Sequence, residues 1–143
     1  MLDGPLLDVT VQDPSWAWAA GGLVSNLQDL VRFLRTLLGG RLLPTGLLAE
    51  MRTTVAVPPG SIPLPVYDRY GLGLLEVGTP AGRLVGQLGG IPGFLSMVLS
   101  TQDGRRQLGV MINLLAAPNP VYGAFMRVVR ELSSIRPGVA GQA

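Results

Sequence analysis

The 143-residue sequence has no cysteine and no histidine, and its 11 basic residues are all arginine, so it has no lysine either. Without cysteine there is no disulfide, thiolate nucleophile or sulfur-ligated metal, and without histidine the commonest general base and zinc ligand is missing. Without lysine there is no Schiff base, no P-loop and no lysine to activate a serine. We therefore expect no metal and no cofactor in this chain.

Charge is also scarce. Only 14% of the residues are charged and 48% are hydrophobic, against about 25% charged residues in average soluble domains. The uncharged stretches 84–102 and 107–126 are interrupted by glycine, proline or asparagine, whereas a membrane span needs about 20 predominantly apolar residues. The N-terminus has no basic start followed by an apolar run, as a signal peptide would. The composition predicts a chain that buries more surface than its length suggests.

The net charge of +2 does not indicate a nucleic-acid surface. The arginines are mostly scattered and only 6% of the residues are aromatic, whereas nucleic-acid sites cluster positive charge and add aromatic side chains for stacking. We therefore expect no nucleic-acid partner and no membrane span.

Helical signals lie on both sides of a β-rich middle. Ser25 and Gln28 form a capping-box pattern before an amphipathic segment that ends at Gly39. Thr45 marks the start of a short second helix, and residues 120–134 have the apolar periodicity of a final helix.

The middle of the chain has strand patterns at residues 70–77, 83–88, 94–101 and 107–114. Asp103 and Gly104 form a strong hairpin signal between the last two. The sequence predicts an α+β fold, an antiparallel sheet of three to four strands packed by an N-terminal-side helix and a C-terminal helix. We expect one domain over residues 1–136 and a disordered tail over residues 137–143.

Common catalytic motifs are absent. Gly71 and Gly73 lack the third glycine of a dinucleotide fingerprint, and Ser61 does not lie in a nucleophile elbow. The nine carboxylates are spread along the chain and form no metal-binding loop.

Four segments in order carry a more specific signal. They are Trp16-Ala-Trp-Ala-Ala-Gly-Gly-Leu-Val-Ser25, then Gln28-Asp-Leu30 with Phe33-Leu34, then Tyr70-Gly-Leu-Gly-Leu74, and then Gly86-Gln-Leu-Gly-Gly-Ile-Pro-Gly-Phe94. Together they resemble the C-terminal part of the serine β-lactamase and D-alanyl-D-alanine carboxypeptidase family, in its class C-like branch, which also includes esterases. The resemblance covers about residues 14–134 and implies a partial β-lactamase/transpeptidase-like fold.

The resemblance places the nucleophile's motifs earlier in the chain than the matched region. In the family, the active-site serine and lysine form an S-x-x-K motif and a tyrosine forms a Y-x-N motif. This sequence has no lysine, and none of its three tyrosines has asparagine two residues later.

The third family motif, His or Lys followed by Thr or Ser and then Gly, falls on Gln87, Leu88 and Gly89. Gln87 can still donate and accept hydrogen bonds, whereas Leu88 cannot contact a substrate carboxylate as a hydroxyl would. The resemblance further implies that the Gly90 N–H is an oxyanion donor. An arginine that binds the substrate carboxylate in related peptidases is replaced by Leu75.

Trp16 matches an aromatic residue that lines the family's cleft. From the sequence, a cleft position and a core position for this side chain are both open. The implied substrate-binding residues are therefore Trp16, Leu88 and Gly89, with Gln87 and Gly90 as the implied catalytic positions.

Two functions follow as expectations. The first is the C-terminal segment of a serine hydrolase that forms an acyl-enzyme from a β-lactam, D-Ala-D-Ala peptide or ester and is inactive alone, its partner being the missing N-terminal half. The second is a non-catalytic pseudoenzyme or interaction module that completes another chain's sheet through a strand near residues 107–114. The sequence assigns no location, although the resemblance is compatible with the cell envelope or an extracytoplasmic compartment.

Overall fold

The computed structural model describes residues 7–60, 67–79 and 82–114, and residues 123, 124, 126–128 and 131 of the C-terminal part. Its main feature is an antiparallel sheet of six strands in which each strand pairs with its neighbour in sequence. The strands are β1 Val55–Ala56, β2 Arg69–Tyr70, β3 Leu75–Thr79, β4 Gly82–Ile91, β5 Phe94–Thr101 and β6 Gln107–Ile112.

The longest pairing joins β4 and β5. Their register runs from Leu84 opposite Thr101 to Ile91 opposite Phe94. Pro92 and Gly93 make the connection, and Gly93 adopts φ +82°, a conformation that only glycine adopts readily. This hairpin is the centre of the sheet, with β3 on one side and β6 on the other.

In the described residues, three helices precede the sheet, namely α1 Trp18–Gly21, α2 Leu27–Leu38 and α3 Thr45–Arg52, and a 3₁₀ turn spans Pro14–Ala17. The cap predicted at Ser25 is wrong by one residue. Asn26 is the N-cap of α2, because its side chain accepts from the Asp29 N–H at 3.0 Å and donates to the Asp29 carboxylate at 2.8 Å. This reciprocal pair satisfies the helix start in place of Ser25 and Gln28.

Apolar side chains cover both faces of the sheet. On one face, buried leucines of α2 and α3 pack against Leu74, Val85 and Val98. Because neighbouring residues of a strand point to opposite faces, Met97 and Leu99 lie on the other face, in a cluster with Leu75 and Met126. The α+β class and the antiparallel sheet packed by helices are confirmed.

The structure has more strands than the three to four expected, because two-residue strands β1 and β2 extend the sheet. The predicted strand 70–77 is interrupted after Tyr70, where the Gly71 N–H donates to the Leu74 carbonyl at 2.7 Å and Gly73 has φ +77°. The next strand, β4, continues through Gly89 and Gly90 to Ile91 instead of ending at residue 88.

The predicted hairpin joins β5 and β6, but its connection is longer than a two-residue turn. The strands end at Thr101 and begin again at Gln107. The Asp103 carboxylate accepts hydrogen bonds from the Thr101 hydroxyl at 2.5 Å and from the Arg105 N–H at 3.1 Å. These contacts stabilise a loop over residues 102–106, longer than the predicted two-residue turn, in which Gly104 has φ +70°.

Towards the C-terminus, residues 123, 124, 126–128 and 131 are helical, in the region of the predicted final helix. The tail predicted at residues 137–143 lies outside the described residues, and the boundary at residue 136 stays a prediction. Within the described ranges, no helix has both the length and the apolar character needed to cross a bilayer.

Candidate active site

One edge of β4 is open beyond the position of Leu75, the first residue of β3. The pairs between β3 and β4 run from Thr79 opposite Gly82 to Leu75 opposite Gly86. Residues 87–91 continue past β3 and pair only with β5, so no strand in the described part of the chain lies along their other edge. Four of the five site residues expected from the sequence lie on this free segment.

The side chain of Gln87 is held by three hydrogen bonds. Its Nε2 donates to the Tyr70 hydroxyl at 2.8 Å and to the Gly73 carbonyl at 3.1 Å, and its Oε1 accepts from the Leu88 N–H at 2.9 Å. Both amide protons are therefore used. Gln87 fixes the free segment of β4 to the connection between β2 and β3.

Tyr70 is a residue of this region that the sequence analysis did not assign to the site. Its ring is half-buried and packs against Tyr67 with 5.3 Å between ring centroids. The Tyr-Gly-Leu-Gly segment marked it as part of a motif, but its contact with Gln87 depends on pairing between β2 and β3, which sequence spacing does not show.

The Gly90 N–H points to the free edge. In an antiparallel strand, N–H groups of alternate residues point to the same side. The Leu88 N–H bonds to the Gln87 side chain, not to β5, so the Gly90 N–H, two residues on, faces the same side. This orientation is the one that an oxyanion donor on this edge requires, and the role itself stays a prediction.

Leucines stand at the two positions that the resemblance matches to a hydroxyl residue and to an arginine of the family. Leu75 is fully buried, at 0% exposure, in the cluster on the face opposite α2. The half-buried Leu88 packs against the same cluster. Neither side chain brings a hydrogen-bonding group to the free edge.

A cavity of about 690 Å³ opens at the end of β4 that carries Gly89 and Gly90. This volume is within the range of small-molecule sites, roughly 300–1,000 Å³. No charged side chain is among its described lining residues. The lining comes from the N-terminal segment, from β4, and from β5 and β6, and comprises Thr10, Gln12, Pro14, Ala20, Gly21, Leu23, Val24, Ser25, Gly89, Gly90, Ile91, Phe94, Leu95, Ser96, Met111, Ile112 and Asn113.

The wall of the cavity opposite β4 is formed by the N-terminal segment. Gln12 Nε2 donates to the Pro92 carbonyl at 3.1 Å and so links this segment to the turn between β4 and β5. Leu23 and Val24 line the cavity and are 95% and 89% exposed. Trp16 is 65% exposed and does not line the cavity, so its predicted contact with substrate stays a prediction.

The main ionic network lies at the opposite end of β4. Arg83 donates to Asp68 at 2.8 Å and to the largely buried Glu76 at 2.7 Å. These hydrogen bonds, the larger effect being that of the bond to Asp68 and the next that of the bond to Glu76, raise the pKa of Arg83 above its ordinary value. In the described residues, no three acidic side chains are grouped in a way that could hold a metal. The site therefore offers backbone donors, hydroxyls and amides to a ligand.

Several solved structures are similar in fold to most of this chain. A D-stereospecific amidohydrolase from Streptomyces sp. is 40% identical with a TM-score of 0.69, over 78% of this chain and 32% of its own. A D-amino acid amidase from Ochrobactrum anthropi SV3, complexed with D-phenylalanine, is 34% identical with a TM-score of 0.70, over 85% of this chain and 40% of its own. The structure of SurE with D-Leu is 29% identical with a TM-score of 0.60, over 90% of this chain and 30% of its own.

The chain thus spans between 30% and 40% of the length of these three structures. A sequence model of the beta-lactamase family matches residues 2–129. The similarity expected from the Tyr70 and Gly86 segments is therefore confirmed, and the chain belongs to the beta-lactamase family of serine hydrolases.

Proposed function

We propose that this chain forms the substrate-binding edge and one oxyanion donor of a serine hydrolase whose nucleophile is supplied from outside this sequence. The observation that carries the proposal is the free segment of β4, where the Gly90 N–H faces an unpaired edge beside a cavity. An extended substrate can pair its backbone with such an edge.

The proposed reaction is acyl transfer. A serine hydroxyl attacks the substrate carbonyl carbon, the carbonyl oxygen becomes an oxyanion, and the leaving amine departs with a proton to give an acyl-enzyme that water hydrolyses. The Gly90 N–H would donate to the oxyanion, a contribution of about 2.7–4 kcal/mol to the barrier in well-studied cases. Gln87 would keep β4 in place during these steps.

The substrate class we propose is the amide or peptide of an apolar D-amino acid. The described cavity lining has no charged side chain and is formed largely by aliphatic residues, which suits an uncharged, apolar side chain. The relatives support the D configuration, because one is a D-stereospecific amidohydrolase and another is a D-amino acid amidase complexed with D-phenylalanine.

Without the remaining motifs, the chain alone should be inactive. Ser25 and Ser96 line the cavity, but the sequence has neither a lysine nor a histidine to deprotonate them. A serine hydroxyl without a base is a poor nucleophile at neutral pH.

The test is to incubate the purified chain with a fluorescent penicillin and, separately, with D-phenylalaninamide. We expect no covalent adduct above a heat-denatured sample of the same chain, and no release of ammonia. The Ochrobactrum D-amino acid amidase is the positive control for hydrolysis. Stoichiometric labelling or turnover by the chain alone would contradict the proposal that its nucleophile lies elsewhere.

A second function, an interaction module, is favoured by the position of β6. This strand pairs with β5 over residues 107–112 and is the last strand of the described sheet, and its Met111 is 45% exposed. An open edge of this kind can accept a strand from another chain. Size-exclusion chromatography tests this alternative, since a clean monomer together with no calorimetric heat on adding muropeptides would count against it.

A further inference from the structure

Ser96 carries a hydroxyl group that the described protein does not use. It lies on β5, lines the cavity and is half-buried. Its hydroxyl makes no hydrogen bond to any residue in the described ranges. A polar group in a mostly apolar cavity is of the kind that orients a ligand.

The hydroxyl is held over β4 next to the predicted oxyanion donor. Ser96 pairs with Gly89 across the β4–β5 ladder. A Cβ atom at position 89 would lie 2.8 Å from Ser96 Oγ, closer than side chains normally approach. Glycine at position 89 therefore leaves room for the hydroxyl, one residue before Gly90.

The other small hydroxyl on the cavity wall near the start of α2 is already engaged. Ser25 Oγ donates to the Asn26 carbonyl at 3.4 Å, and the Gln12 amide donates to the Pro92 carbonyl at 3.1 Å. Of these three polar groups, only the Ser96 hydroxyl is left with its full capacity to donate and accept.

We propose that Ser96 Oγ hydrogen-bonds the α-amino group of a D-amino acid amide and thereby determines preference for the D over the L enantiomer. The inference rests on the proposed function, in which the substrate carbonyl oxygen accepts from the Gly90 N–H. The α-carbon is one bond from that carbonyl, and the ligand would place its amino group over Gly89, across β4 from the free edge, where the Ser96 hydroxyl stands.

Chiral discrimination needs three distinct positions around the α-carbon. Here the carbonyl meets Gly90, the amino group meets Ser96, and the side chain meets half-buried aliphatic residues of the lining such as Ile91 and Ile112. Exchanging two substituents, as in the L enantiomer, places the amino group against apolar carbon and the side chain against the hydroxyl. That arrangement leaves a polar group without a partner, which is unfavourable.

The experiment measures the dissociation constants of D- and L-phenylalaninamide by calorimetry for the wild-type chain and for Ser96→Ala, Ser96→Thr and Ser15→Ala. We expect the wild type to prefer the D enantiomer and Ser96→Ala to reduce that preference about 5- to 10-fold. Ser96→Thr keeps the hydroxyl and should restore the preference. Ser15→Ala removes an exposed serine hydroxyl that does not line the cavity and should leave the preference unchanged.

A ligand without the amino group separates this role from a structural one. Removing the Ser96 hydroxyl should weaken binding of D-phenylalaninamide but leave binding of 3-phenylpropanamide unchanged, because that ligand has no α-amino group. If Ser96→Ala does not fold, the wild type must still bind D-phenylalaninamide more tightly than 3-phenylpropanamide, and Ser96→Thr must keep that order. The reverse order in either protein would overturn the proposal.

The outcomes distinguish the two proposals. If the wild-type chain binds neither enantiomer, the proposed substrate-binding function is contradicted and the role of Ser96 falls with it. If the wild type prefers D-phenylalaninamide and Ser96→Ala keeps the full preference, only the role of Ser96 is overturned.

Discussion

The Gln87 amide nitrogen donates to the Tyr70 hydroxyl across 2.8 Å, so the free segment of β4 is tied to β2 by a side chain where no strand pairing exists. The same amide group also bonds to the Gly73 carbonyl and the Leu88 N–H. Gln87 thus supplies side-chain hydrogen bonds to a segment of β4 that lacks the strand pairing β3 gives to residues 82–86.

Replacing Gln87 with alanine should destabilise the chain by about 1–3 kcal/mol, because three hydrogen bonds are lost and some of their partners are left unsatisfied. Tyr70→Phe is the matched control. It removes only one of these bonds and should cost about 0.5–1.5 kcal/mol. Urea unfolding measures both free energies, and an equal or smaller loss for Gln87→Ala would contradict the bridging role.

Replacing Gly86 or Gly46 with alanine should change the stability of the chain in opposite directions. A Cβ at Gly86 would lie 1.9 Å from the Val98 carbonyl oxygen, whereas a Cβ at Gly46 meets nothing within 4 Å. Gly86→Ala should cost about 3 kcal/mol or more through overpacking. Gly46→Ala lies in α3 and should stabilise by about 0.5–1 kcal/mol through helix propensity.

Thermal unfolding followed by circular dichroism checks the two variants. The predicted melting temperature falls for Gly86→Ala and rises for Gly46→Ala. A neutral Gly86→Ala variant would show that β4 and β5 are less closely packed than the structure indicates.

Introducing arginine at Leu75 should unfold the chain instead of creating a carboxylate site. The side chain is at 0% exposure in an apolar cluster, and an unpaired charge buried there is strongly unfavourable. Leu75→Ala should cost about 2–5 kcal/mol, while Leu72→Ala, at a position 65% exposed, should stay within about 0.5 kcal/mol of wild type. A folded Leu75→Arg variant that binds a carboxylate would refute this account of position 75.

The loop between β5 and β6 should lose stability in acid. Hydrogen bonds from the Thr101 side chain and then the Arg105 N–H lower the pKa of Asp103. Because the folded-state pKa is the lower one, the stabilisation is complete above the unfolded value, about 3.9, and is lost as the pH falls through the folded value.

The measurement is the difference in unfolding free energy between wild type and Asp103→Asn as a function of pH. We expect the difference to be constant near neutral pH, to shrink below about pH 4 and to be lost as the pH falls through the lowered pKa of Asp103. A difference that persists unchanged at pH 2 would exclude the ionised carboxylate as its source.

Local patterns in the sequence predicted the α+β class, α2 and the β4–β5–β6 order, because apolar periodicity and turn residues are short-range signals. They missed the cap at Asn26, whose side chain pairs with Asp29 in place of the predicted pair of Ser25 and Gln28. They also missed strands β1 and β2, since two-residue strands have no periodicity to detect.

The site was predicted in part for a similar reason. The family resemblance marked Gln87 and Gly90, but nothing local indicated that Leu75 is fully buried or that Ser96 stands over Gly89. Both facts arise from pairing between strands, which places residues distant in sequence side by side. The contacts that define the cavity therefore required the tertiary structure.

The most direct test of the central claim is the backbone amide resonance of Gly90 in a ¹⁵N-labelled chain titrated with D-phenylalaninamide. The account predicts a saturable shift at Gly90, with smaller changes at Gly89, and none at Gly46, which has no neighbour within 4 Å of its Cβ position and does not line the cavity. An unchanged Gly90 resonance at ligand concentrations that shift other residues would contradict the claim that this N–H faces the bound carbonyl.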